Sequence, residues 1–202
     1  MKTKRVDTRR MVLLAMLSGI LLVMSFTPLG YLNIGPLAIS LNMIPVAIGA
    51  VALGPGGGAF LGAVFGITSC LQCVGIGGTS YMGVILFEIS PALTILQRFV
   101  PRLLAGWLTG VVYQALHRLH FPYASYIAGF GAALFNTAFF MGALVLLFGN
   151  TPYLQDLIAG RNILMFILSF VGINALVELL AATATIGVVC KALEKLNMIG
   201  GK

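Results

Sequence analysis

Five acidic side chains stand in this chain of 202 residues: Asp7, Glu88, Asp156, Glu178 and Glu194. They are too few and too scattered to cage a metal or to share acid–base work across one substrate. No HExxH, GxSxG or GxxxxGK[ST] run occurs, so zinc-protease, serine-hydrolase and phosphate-loop chemistry have no residues to carry them. The glycine-rich run at 54–58 lacks a following Lys-Ser/Thr pair and reads as a turn. Cys70 and Cys73 form a CxxC without His or acidic partners nearby. They read as small apolar packing residues, and three cysteines make no disulfide framework. The expectation is therefore a protein that is not an enzyme and holds neither metal nor cofactor.

What remains is a chemistry of recognition. Asn136 lies mid-way along one long apolar run and Asn174 mid-way along another, with Glu178 one turn further on the same face. Amides and carboxylates are expensive in hydrocarbon, so they face a cavity, a ligand or one another. Arg98 and Arg102 are spaced one helical turn apart around Pro101, and Arg161 opens a later run. Such arginines offer an anion charge-assisted hydrogen bonds; the competing reading is an interfacial arginine reaching to headgroups. Tyr31, Asn33, Gln72, Tyr81 and Tyr153 in the connecting segments add a mix of aromatic and amide groups suited to a small polar organic solute.

These side chains need elements to position them, and composition says which. The chain is 59% hydrophobic and only 8% charged, with mean hydropathy +1.04. Soluble domains carry roughly 25% charged residues, so the apolar exterior calls for a lipid solvent. Apolar runs long enough to cross a bilayer are predicted at about 11–27, 37–53, 59–75, 99–117, 123–149 and 162–190. Residues 76–98, with Glu88, Pro91, Gln97 and Arg98, read as a partly helical loop at or in the membrane surface. Basic residues divide unevenly. Lys2, Lys4, Arg5, Arg9, Arg10, Arg118, Lys191, Lys195 and Lys202 fall on one side and Arg98, Arg102 and Arg161 on the other. The net charge of +7 is thus a topology signal and not a nucleic-acid surface. The expectation is an all-α integral membrane protein, one domain over 1–202, folded as a six-transmembrane-helix bundle with both termini cytoplasmic. The first apolar run lacks a convincing cleavage site and is expected to stay in place.

Small residues recur at helical spacing. Ala15 and Gly19 lie four apart in the first run, with Met11 and Val23 continuing the stripe, and Gly58, Gly62 and Gly66 repeat the spacing in the third. Such stripes let helix backbones approach closely in lipid. The glycine set suits packing within the chain; for the first stripe, packing and docking on another membrane subunit are equally open.

The ordered set TPLG…IGPL…IPV.IGA..LGP..GAFLGA.FG.TS, followed by VPRLLAGWLTGVVYQAL, FNTAFFM and INALVELLAATAT, covers nearly the whole chain. It resembles the substrate-binding S components of energy-coupling factor transporters, most nearly the branch for pantothenate and related vitamins. The resemblance implies a six-helix bundle in a bacterial cell membrane with a vitamin site near the outer face. The partners it implies are a membrane coupling subunit and two cytoplasmic ATPases, the only users of ATP. The family's polar site maps onto Asn136, Asn174, Glu178 and Arg102, and its helix-1 docking stripe onto Met11, Ala15 and Gly19. Around Asn42-Met43 and around Gln72, Cys73 and 75–80 the chain departs from the family pattern. Pantothenate is the leading solute, with folate, cobalamin or a B6 vitamer as alternatives. A stand-alone secondary transporter would need several intramembrane acids or a broken-helix repeat; only Glu178 qualifies. For a structural or assembly protein, the third reading, an empty outer cavity would be diagnostic.

Overall fold

The uncharged stretch from Met11 to Phe26 forms most of helix α1, Thr8–Phe26. The computed structural model describes residues 8–27, 30–33, 38–77 and 80–195, of which 31–33, 38–39, 163–164, 168–171, 173–174 and 193–195 are described as backbone alone. After α1 the chain makes an antiparallel ribbon of β1, Tyr31–Asn33, and β2, Ala38–Ser40, with Tyr31 opposite Ser40. Helix α2, Met43–Leu53, follows. Gly54 at φ +82° turns the chain, a conformation that disfavours any side chain, and Pro55 starts α3, Pro55–Cys73.

Two departures from the sequence reading have clear causes. The second span, expected over 37–53, loses its first part to the ribbon, so α2 has 11 residues and reaches only roughly 16 Å. Short apolar runs fit strand and helix alike. The segment 76–98, expected as a partly helical loop, is helical over 81–89 and 91–98 among its described residues. Ser80 accepts a hydrogen bond from the Gly83 amide (3.3 Å) and caps α4, Tyr81–Ile89. Pro91, expected as an interruption, sits in the first turn of α5, Pro91–Arg118, where its missing N–H costs nothing. Pro101 is accommodated inside α5. Helix α6 spans Ala124–Phe148, the short α7 Pro152–Ile158, and α8 Ile163–Lys195.

By length and composition, α1, α3, α6 and the stretch Ala175–Ala192 of α8 are each apolar enough to cross a membrane, and α2 is a shorter apolar helix. Helices α3 and α5 run antiparallel, and so do α6 and α8. At one end the ribbon, α4 and α7 gather, and there Gln72 Nε2 donates to the Ser25 carbonyl (2.7 Å) and Thr68 Oγ1 to Ser25 Oγ (3.1 Å). At that end too, Met82, Leu86, Met141, Leu144, Phe148, Leu154, Ile158 and Phe166 form one buried cluster. The opposite end carries the Gly54 turn and the α5–α6 turn. The main core runs between them from Leu17 and Leu21 through Val46, Leu61 and Phe65 to Ala128, Ala132 and Ile186.

The glycine stripe of α3 is an internal packing seam. A Cβ on Gly58 would strike the Gly106 carbonyl and one on Gly62 the Arg102 carbonyl; one on Gly66 would come within 3.0 Å of Phe99 Cα. Gly110 returns the contact, since a Cβ there would sit 2.6 Å from Pro55 Cα. Helices α3 and α5 therefore touch backbone to backbone, which fixes the position of every side chain that α5 carries.

Candidate functional site

Helix α5 runs against α3 on one face and α6 on another, and its buried residues include Thr94, Gln97, Arg98, Pro101 and Arg102. Arg98 and Arg102 are both 6% exposed, so neither reaches to headgroups. Instead both guanidiniums lie over Phe140 of α6, at 5.4 Å for Arg98 and 4.8 Å for Arg102 from the ring centroid. Arg102 also lies 5.0 Å from the centroid of Phe65 on α3. A desolvated guanidinium on an aromatic face is stabilised by up to about 2 kcal/mol, while its in-plane N–H edges stay directed at polar groups.

Those edges have partners from several elements. Arg98 Nη2 donates to Ser80 Oγ (3.0 Å), the hydroxyl that caps α4, and Nη1 to Ser69 Oγ on α3 (3.4 Å). Arg102 Nη1 donates to the Arg98 carbonyl (2.7 Å). Among the described residues Arg98 Nε makes no hydrogen bond, and neither polar atom of the neighbouring Gln97 does.

Across the α6–α8 contact, Asn136 Nδ2 donates to Glu178 Oε1 (3.3 Å). Both residues are 8% exposed, and among the described residues Asn136 Oδ1 has no partner. Glu178 is within electrostatic reach of Arg102. Arg98, Arg102, Asn136 and Glu178, singled out separately by residue type, thus form one buried polar cluster supplied by three helices. Burial on this scale leaves unsatisfied donors and acceptors that cost roughly 1–3 kcal/mol each. A carboxylate- and amide-bearing solute has the matching groups.

Other expected residues fall elsewhere. Tyr31 and Asn33 belong to β1 and Asn174 to α8, one turn before Glu178, and the side chains of all three lie outside the described residues. Arg161, in the turn before α8, is exposed and donates to the Ile158 carbonyl (3.3 Å) and the Leu157 carbonyl (3.4 Å). Met11, Ala15 and Gly19 line an exposed face of α1. Cys73 is buried and donates to the Ser69 carbonyl (3.3 Å), while Cys70 is half-buried with Sγ 3.9 Å from the Ile95 carbonyl. Both thiols fill space beside α5.

Sequence reasoning missed Phe65, Phe140 and Ser69. The one available signal was the Arg98–Arg102 spacing, which demands a stacking or hydrogen-bonding neighbour without saying which.

Comparison with known proteins adds two findings. A family model described as the substrate-specific component of the ECF transporter matches residues 9–189. The pantothenate transporter PanT of Leuconostoc mesenteroides subsp. mesenteroides is 27% identical over 185 residues, covering 86% of this chain and 86% of that relative.

Proposed function

This chain belongs to the substrate-specific components of energy-coupling factor transporters, and from that premise we propose that it binds pantothenate for uptake into a bacterial cell. It is a component of a membrane transporter and not an enzyme. The observation that carries the choice of solute is the pair of buried arginines on Phe140. Two guanidiniums with N–H edges turned to polar groups make a setting that suits an anionic group on the solute. Pantothenate brings a single carboxylate for the arginines, an amide for Asn136 and hydroxyls for the remaining polar atoms. The pantothenate transporter among its relatives supports the same reading. Folate, cobalamin and B6 vitamers are the alternatives to be measured beside it.

The reading extends to topology and partners. Six crossings follow if α2 with the ribbon and α5, whose arginines face protein and not lipid, are counted with the four long apolar helices. The basic ends of α1 and α8 then lie in the cytoplasm. The exposed α1 face with Met11, Ala15 and Gly19 docks on a membrane coupling subunit carrying two ATPases, so that ATP is used by the partners and no cofactor resides in this chain.

Calorimetric titration of the purified protein tests the solute. Saturable binding of pantothenate is expected. Panthenol, with an alcohol in place of the carboxylate, should bind about 10- to 100-fold more weakly, as a hydrogen bond to a charged group contributes roughly 1.5–3 kcal/mol. Equal binding of the two, or saturable binding of folate, cobalamin or pyridoxine instead, overturns the assignment.

A further inference from the structure

Away from the arginine cluster, the turn between α5 and α6 encloses a cleft of about 550 Å³ lined by His117, Arg118, His120, Phe121, Ala124 and Ser125. Four of those side chains, His117, Arg118, His120 and Ser125, carry cationic or hydrogen-bond-donating groups. His120 holds a left-handed backbone, φ +54°, and its amide closes on the His117 carbonyl (3.0 Å). This tight turn brings the two imidazoles and Arg118 to one cleft. His117 is stacked on Tyr113 at 5.5 Å between centroids, which fixes its ring. The first turn of α6 adds the partial positive charge of a helix start, and Tyr123 at its cap supplies no side-chain bond to satisfy it.

The rim of the cleft is apolar. Leu119 is 76% exposed, Tyr123 58% and Phe121 45%. Tyr123 packs edge-to-face between Phe121 and Tyr126, and the Lys191 ammonium of α8 lies 5.1 Å from the Tyr126 ring and 5.8 Å from that of Tyr123. Aromatic rings with cations beside them belong to the headgroup zone of a bilayer, where one end of the side chain is apolar and the other wet. A basic cleft between helices at that depth is the kind of place that takes an anionic headgroup. Free phosphate could use the same donors, yet it has no use for an apolar rim.

We propose that the α5–α6 turn seats the phosphodiester headgroup of an anionic phospholipid, held by Arg118, His117 and His120 and flanked by Leu119, Phe121 and Tyr123. The test uses the full chain, delipidated in detergent and titrated with phosphatidylglycerol, phosphatidylcholine or inorganic phosphate, with adducts counted by native mass spectrometry. Phosphatidylglycerol should load the wild type at roughly tenfold lower concentration than phosphatidylcholine. Arg118→Gln should bring the two lipid curves together, as should His117→Gln with His120→Asn, asparagine being chosen because it tolerates the left-handed turn. Circular dichroism confirms that each variant keeps its helices; Arg118 is exposed in the last turn of α5, so its loss leaves the core untouched. Equal loading of the two lipids by wild type, or an unchanged preference in both variants, overturns the proposal. Phosphate adducts on wild type that Arg118→Gln abolishes, with no preference between lipids, would assign the cleft to the free anion instead.

Discussion

Asn136 and Glu178 are a single buried side-chain pair through which stability and binding can be tested together. Asn136→Leu removes the donor at 3.3 Å from Glu178 Oε1 and leaves a buried acceptor short of a partner. A loss of about 1–3 kcal/mol in folding stability is expected, read from thermal unfolding in detergent, together with weaker pantothenate binding. Unchanged affinity would remove Asn136 from the site. Glu178→Gln keeps an oxygen for the Asn136 amide and should stay within about 1 kcal/mol of wild type in the same melt. Residue type and spacing alone marked both of these residues and both buried arginines, because polar groups in apolar runs are rare enough to stand out. Phe65 and Phe140 were illegible for the opposite reason: among 13 phenylalanines in an apolar chain, nothing local distinguishes the two that receive a guanidinium.

Helix α5 owes its placement to glycine. The seam of Gly58, Gly62 and Gly66 against Gly106, Arg102 and Phe99 brings two backbones together, and α5 carries Arg98 and Arg102 to Phe140 from that fixed position. Gly58→Ala or Gly62→Ala should therefore lower stability by about 1–3 kcal/mol by overpacking and should weaken substrate binding with it. Gly142→Ala on α6 is the control: a Cβ there meets nothing within 4 Å, and alanine in place of a mid-helix glycine should contribute roughly 0.5–1 kcal/mol of stability. A melting series that ranks all three alike would show that the seam does not set the packing. The seam was legible as a four-residue spacing of small residues. The ribbon and helix α4 were not. Three-residue strands leave no periodicity to read, and Pro91 reads as a breaker until the capped end of the preceding helix shows that it opens a new one.

At the scale of the molecule, α1 presents an unusual surface. Met11, Val12, Met16, Ile20 and Val23 are 57%, 52%, 61%, 49% and 58% exposed, on a helix with only Leu17, Leu21 and Ser25 buried. Lipid alone would accept such a face. Lipid does not, however, require the small residues Ala15 and Gly19 within it, whereas a helix of another subunit approaching closely does. The two explanations separate by experiment. A Cβ at Gly19 meets nothing within 4 Å, so Ala15→Trp with Gly19→Trp leaves the fold intact and adds bulk only outside it. If a coupling subunit docks here, the double variant binds pantothenate with wild-type affinity by calorimetry while cellular uptake of labelled pantothenate falls at least about tenfold, a loss of roughly 1.4 kcal/mol in the docking interaction. If the face meets only lipid, uptake and binding are both unchanged. Loss of binding would mean that the stripe supports the site itself, because bulk outside the fold reaches Arg98 and Arg102 only by shifting α1 against α3.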